Sequence, residues 1–144
     1  MLSNACKYAI RALIYLATRM NDGLKVSIRE LSSEIDSPEP FTAKIMQSLS
    51  KQDIVSSVKG PNGGFYIDEN QANVRLIEIV KAIDGMQVLT GCGLGLKTCS
   101  AAHPCPIHAE FSAMRDGFSH LLYENTIREL ADELMAGHSA VKNW

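Results

Sequence analysis

The sequence predicts a mainly α-helical chain with one small β-hairpin near its middle and a long amphipathic helix towards its C-terminus. Three observations carry this. Apolar residues recur at helical spacing over most of the chain, a single Gly60-Pro61-Asn62-Gly63-Gly64 turn separates two strand-like runs, and from Phe111 to Leu134 the apolar stripe resumes.

Length and composition set the frame. With 144 residues, 46% of them hydrophobic, the chain can bury one real core and carry an added dimerisation arm. No apolar run approaches the roughly 20 residues of a bilayer span, and the start lacks the apolar centre of a signal peptide. A cytoplasmic protein without a membrane partner is therefore expected, and in that reducing compartment clustered cysteines are more often metal ligands or redox sensors than structural disulfides. The net charge of −2 hides an asymmetry: residues 1–64 carry eight Lys/Arg against six Asp/Glu, and residues 65–144 carry six against ten. A local nucleic-acid face is compatible with that balance, because affinity follows phosphate contacts at the surface and not the charge of the whole.

Residues 5–20 read as a helix with Ala9, Ala12, Leu13, Leu16 and Ala17 on one side, stopped by Asn21-Asp22-Gly23. Ser27-Ile28-Arg29-Glu30 has the form of a capping box and opens a second helix burying Ile28, Leu31 and Ile35. The prolines of Asp36-Ser37-Pro38-Glu39-Pro40 end that helix. A third helix starts near Pro40, with Phe41, Ile45 and Leu49 as its buried stripe and Thr42, Lys44, Gln47, Ser48 and Lys51 on its exposed faces.

Two short helices joined by a tight turn, the second presenting small polar and basic residues, are the sequence form of a helix-turn-helix. Alone that signal is weak, since many helical hairpins bind nothing. The segment that follows strengthens it: residues 54–59 and 65–67 have strand propensity on either side of the glycine-rich turn, which makes a winged helix. On this reading Thr42, Lys44, Gln47 and Ser48 face a DNA groove or its phosphates, and Lys59, at the neck of the hairpin, reaches the backbone or minor groove. Residues 74–83 then form a short helix on Leu76, Ile79, Val80 and Ile83, closed by Asp84-Gly85.

Three of the four cysteines follow in a glycine-rich stretch, spaced Cys92-x6-Cys99-x5-Cys105-x2-His108. Thiolates select zinc or iron-sulfur iron, and imidazole suits either. The stretch lacks the tight knuckles of structural zinc sites, while its glycines let ligands converge from several directions. A metal site and a thiol-disulfide switch both remain open on spacing alone. Cys6 reads as a buried helix thiol and His103 as loop surface. From about residue 106 the chain is helical again, carrying Phe111, Met114, Phe118, Leu121, Leu122, Ile127, Leu130 and Leu134, an apolar stripe whose expected partner is a second copy across a two-fold axis. Residues 137–144 read as a frayed tail.

The segments Ala5-Cys6-Lys7-Tyr8-Ala9-Ile10-Arg11-Ala12-Leu13 and Phe41-Thr42-Ala43-Lys44-Ile45-Met46, with the wing from Val58 to Phe65, together resemble the IscR/NsrR-type (Rrf family) bacterial transcription regulators over about residues 1–135. The wing and the three-cysteine loop are the most specific parts of the match. The resemblance implies a dimeric winged-helix regulator acting on a DNA operator, a domain at 1–85, a cluster-binding loop at 86–108, and a dimerisation helix and tail at 109–144. It further implies Cys92, Cys99 and Cys105 as iron ligands. The nitric oxide-sensing branch takes a fourth ligand from an acidic residue whose position here is Lys7, which cannot serve. The biogenesis branch uses a histidine just beyond the third cysteine, matching His108, and with it a 2Fe-2S cluster, a 4Fe-4S cluster being the variant. The alternatives are a clusterless regulator responding through thiols or a partner, and a small redox or electron-transfer protein. No substrate pocket, nucleotide-binding glycine loop or catalytic dyad points to an enzyme.

Overall fold

The computed structural model describes residues 1–142. Helix α1 (Asn4–Thr18) starts at Ser3, whose hydroxyl accepts the Cys6 amide, and its buried face (Cys6, Ala9, Ala12, Leu13, Leu16, Ala17) threads the core. Around it pack α2 (Ile28–Glu34), α3 (Glu39–Lys51), α5 (Leu76–Ile83) and α8 (Ile127–Met135), with the one-turn helices α4 (Glu69–Ala72) and α6 (Gln87–Thr90) and the longer α7 (His108–Glu124) completing the order. Small residues on α1 bring these neighbours close, and Leu13, Leu16, Leu31, Met46, Leu49, Ile77, Ile79 and Ile127 fill the space between them almost without exposure. Each such side chain contributes about 1.5–3 kcal/mol by leaving water.

The hairpin pairs β1 (Ser56–Val58) with β2 (Gly64–Tyr66), antiparallel, in the register Ser56 with Tyr66 and Val58 with Gly64. It is not free-standing, because Val26 and Phe65 exchange backbone hydrogen bonds of 2.9 and 2.8 Å and fasten the wing to the segment before α2. That contact explains the second glycine of the pair: Gly64 has φ +152°, and a Cβ there would lie 2.4 Å from the Val26 carbonyl oxygen.

The structure corrects the sequence reading in several places. Thr42 is not on the exposed face of α3. It is buried, its hydroxyl donating to the Pro38 carbonyl at 2.8 Å and meeting the Ser37 hydroxyl at 2.5 Å, so its polar group is satisfied inside the turn and cannot reach a groove. Phe41 leaves the stripe instead, standing edge-on to Tyr8 with ring centroids 5.8 Å apart, and Met46 takes the core position. Only half of the box at Ser27 forms. The Ser27 hydroxyl accepts the Glu30 amide, but the Glu30 carboxylate turns away to Arg19 (2.6 Å) and the Tyr15 hydroxyl (3.0 Å), tying α2 to α1.

The largest correction concerns the C-terminal stripe, which is two helices. At Asn125 and Thr126 the chain leaves helical geometry and pairs with the segment before α5: Leu76 donates its amide to the Asn125 carbonyl at 3.0 Å and Ile127 to the Val74 carbonyl at 3.1 Å. Helix α8 then lies along α1, with Ile127 and Ala131 buried and Leu130 and Leu134 packed on the core. Those apolar residues, expected to meet a partner copy, are covered within the chain. Residues 137–142 are also not frayed: Val141 packs on the core and its carbonyl accepts the Arg11 Nε at 2.8 Å. The last two residues of that expected tail lie outside the described residues.

A complete capping box restarts the chain at α8. The Thr126 hydroxyl accepts the Glu129 amide at 3.2 Å and the Glu129 carboxylate accepts the Thr126 amide at 2.8 Å. The Thr126 amide, then the Thr126 hydroxyl, hold the Glu129 carboxyl below its ordinary pKa. A depressed carboxyl contributes stability above its unfolded value and loses it as pH falls through the folded one. Glu129→Gln keeps the acceptor but cannot titrate. Its stability deficit in urea melts should therefore be present at neutral pH and shrink on acidification, and a deficit constant with pH would reject the box as a pH-dependent contact.

Candidate functional site

The cysteine loop, residues 91–107, leaves α6 and enters α7. Its entry is held by the Gly91 amide on the Gln87 carbonyl (2.7 Å), and Gly95, at φ +75°, reverses the chain while donating to the Cys92 carbonyl (3.0 Å). Its exit is a turn in which the His108 amide donates to the Cys105 carbonyl at 3.0 Å, so the imidazole at the first position of α7 faces back over the loop. Gly93 rests on the face of Phe111, where a Cβ would come within 2.7 Å of the ring. No side chain fits between loop and helix at that point.

The four proposed donors stand as two facing pairs. Cys92 Sγ lies 3.9 Å from Cys105 Sγ, and Cys99 Sγ lies 3.5 Å from His108 Nδ1. All three loop thiols are partly exposed. Among the described residues no three His, Cys, Asp or Glu side chains stand in an arrangement for a single ion, whereas a mononuclear structural zinc needs four converging ligands. A donor set of three thiols and one imidazole in two pairs is chemically suited to a two-iron cluster, in which each iron takes two protein ligands. The backbone amides of Leu94 and Leu96 hold the Cys92 thiol below its ordinary pKa, with a smaller contribution from Cys105.

Arg115, absent from the residues singled out in the sequence, bridges the loop. One Nη1 donates to the Gly91 carbonyl at 2.7 Å and to Cys99 Sγ at 3.4 Å, and the guanidinium lies over the Phe111 ring at 5.9 Å. The sequence held a usable signal, since Phe111 and Arg115 follow His108 at helical spacing and so share its face of α7. Beside Cys92 a cavity of about 270 Å³ opens between the loop, α6 and Phe111, Met114 and Phe118 of α7.

Cys6 behaves differently. It is fully buried in α1, and burial, then the nearby Asp84 carboxylate, push its thiol up to about 12. Asp84 meanwhile accepts the Ser3 amide at 2.9 Å and the Ser3 hydroxyl, joining the start of α1 to the end of α5. His103 is exposed in the loop.

Of the residues the sequence assigns to a DNA face, Lys44 and Gln47 are exposed on α3, Ser48 is half-exposed, and Lys59 stands exposed where the chain enters the wing turn. The Ser50 and Ser57 hydroxyls, 3.0 Å apart, link α3 to β1 and fix the wing relative to that helix. Lys25 sits 4.0 Å above the Tyr66 ring on the wing's flank.

No helix among the described residues is long and apolar enough to cross a membrane. A model of the Rrf2 family, described as iron-dependent transcriptional regulators, matches residues 2–133. A candidate HTH-type transcriptional regulator of Aquifex aeolicus is 31% identical over 132 residues, covering 90% of each chain. The regulator IscR of Escherichia coli O1:K1 / APEC is 25% identical over 131 residues, 91% of this chain and 80% of that one. Among solved structures, CymR, the global cysteine regulator of B. subtilis, superposes with a TM-score of 0.72 at 16% identity over 92% of this chain and 96% of that one. T. potens IscR does so with 0.72 at 17% identity, over 97% and 92%. These likenesses carry the fold, a winged helix, and the match over nearly the whole chain carries the family. The chain belongs to the Rrf2 family of transcription regulators, proteins that bind DNA and are not enzymes.

Proposed function

We propose that this chain is a homodimeric operator-binding regulator whose DNA affinity is set by an iron-sulfur cluster on the 91–107 loop, of the 2Fe-2S type. The observation that supports this reading most is the arrangement of the four donors into two facing pairs, Cys92 with Cys105 and Cys99 with His108, on a loop clamped between α6 and α7. Cys92, Cys99, Cys105 and His108 would hold the cluster, which when bound supplies one-electron redox chemistry and a charge that is lost with it. The protein's own part is to orient those donors: the 108-turn aims the imidazole, Gly93 lets the loop lie flat on Phe111, and Arg115 presents a cation to Cys99. Cys-to-Ala changes at 92, 99 or 105 each remove an anionic donor and should abolish the visible charge-transfer bands of anaerobically reconstituted protein. His108→Ala should leave a labile, spectrally altered cluster, and Cys6→Ala an unchanged one. A parent that takes up no iron, or an unaltered spectrum in His108→Ala, would sink this assignment.

For the DNA face, Lys44, Gln47 and Ser48 of α3 are the groove-facing set, and Lys59 the backbone contact from the wing, with Thr42 withdrawn because it is buried. Lys44→Ala and Lys59→Ala should each weaken binding to a selected operator and lower the salt slope by about one unit, since each removes one candidate phosphate contact. Parent-like titrations at several salt concentrations would exclude both residues from the interface.

For the dimer, α7 exposes Met114 (51%) and Leu121 (47%) beside Ala113 and Gly117, small residues that let a second helix approach closely. Two copies related by a two-fold axis would bury this strip and present paired α3 helices to a pseudo-palindromic site. Met114→Glu with Leu121→Glu should give a folded monomer in sedimentation, because neither side chain is needed in the core. A parent that sediments as a monomer at micromolar concentration would overturn the dimer.

A further inference from the structure

The three loop thiols are not equivalent. Cys92 and Cys105 face each other across 3.9 Å, while a disulfide needs the sulfurs at about 2.05 Å, a gap that side-chain rotation within a glycine-rich loop can close. Cys99 is turned elsewhere: its sulfur accepts from Arg115 Nη1 at 3.4 Å and faces His108 Nδ1 at 3.5 Å, so its polar neighbours are nitrogens. Cys6 is fully buried and takes no part. The reacting pair is also within reach of a small oxidant, because Cys92 is partly exposed and lines the 270 Å³ cavity between the loop and α7.

We propose that in the cluster-free chain Cys92 and Cys105 form a modification site that a hydroperoxide converts to an intrachain disulfide, with Cys99 kept out of the pairing by Arg115 and His108. One sulfur of the pair attacks the terminal peroxide oxygen. The O–O bond breaks, an S–O bond forms, and the remaining alkoxide or hydroxide leaves with the proton from the thiol. The second sulfur then attacks the first, forming the S–S bond as the S–O bond breaks and water departs with the second proton. Two thiols and one hydroperoxide thus give one disulfide, one alcohol or water, and one further water. The sulfurs lose two electrons and the peroxide gains them. The product consumes two of the three thiolates, so it also blocks metal loading until it is reduced. This inference does not rest on the cluster reading, since it concerns the protein without metal.

The test uses full-length, metal-free, fully reduced protein treated anaerobically with one equivalent of hydrogen peroxide, then alkylated and digested with trypsin. Cleavage after Lys97 and Arg115 puts Cys92 on one peptide and Cys99 with Cys105 on another. A cross-linked peptide pair therefore reports Cys92, and fragment ions between positions 99 and 105 identify its partner. The expected product is Cys92 joined to Cys105 with Cys99 alkylated. A predominant link to Cys99, a Cys99–Cys105 loop within one peptide, or chiefly interchain links would overturn the site. Cys99→Ser should form the same link at the parent rate, and failure to form it would also count against the proposal. Arg115→Gln should raise the share of Cys99-containing disulfide several-fold, while Arg115→Lys, which keeps the cation, should hold the parent's distribution. A share unchanged in Arg115→Gln would remove Arg115 from the account. None of these outcomes depends on whether iron binds, so a parent that fails to load a cluster leaves this test intact.

Discussion

The junction between α7 and α8 is fixed by two backbone hydrogen bonds, those joining Leu76 to Asn125 and Ile127 to Val74. They stop one helix, start another, and return the chain to the core that the first five helices build. Helix α7, which also packs on α5 and α6, is anchored at its far end while its first residue, His108, looks over the cysteine loop. Arg75 reinforces the junction by donating to the Tyr123 carbonyl, and Arg128 of α8 pairs with Glu69 of α4. The loop is thus bracketed by α6 on one side and by an anchored rod on the other, and its thiols inherit their positions from both.

The same anchoring joins the loop to α3, the helix proposed to face DNA, through packed elements. An α-helix of 17 residues is about 25 Å long and links the exit of the loop to the junction at Asn125. There it meets α5, which packs on α1, which in turn packs on α3. Arg11 of α1 adds a second connection, because its guanidinium donates to the Ile35 carbonyl at the turn between α2 and α3. The loop and the turn that sets α3 are therefore joined by packed helices and one shared cation rather than by a flexible linker.

Much of this was legible in the sequence because it is written in local chemistry. The a-to-d spacing of Ala9, Leu13 and Leu16, the Asn-Gly-Gly turn, and the Asp84-Gly85 stop each specify an element through its own residues. The misreadings are equally local in cause. Thr42 looked like a surface residue because its hydroxyl is polar, and only the nearby Pro38 carbonyl and Ser37 hydroxyl make it comfortable inside. The break at residue 125 is written in the sequence too, since Thr126-x-x-Glu129 is a start signal and the five-residue step from Leu122 to Ile127 turns the apolar stripe by about 140°, away from the face it would keep in one continuous helix. What spacing could not contain is which thiol faces which: Cys92 lies against Cys105 across the loop while Cys99 faces Arg115 and His108, contacts that exist only where α7 packs on the loop.

Buried Cys6 has a use that its chemistry makes specific. Because its thiol is both shielded and raised to about 12, a thiol reagent at neutral pH sees the three loop cysteines of the native chain and sees the fourth only when α1 leaves the core. The mass added by alkylation then counts two things at once in a single molecule, the chemical state of the loop and whether that same molecule was folded when the reagent met it.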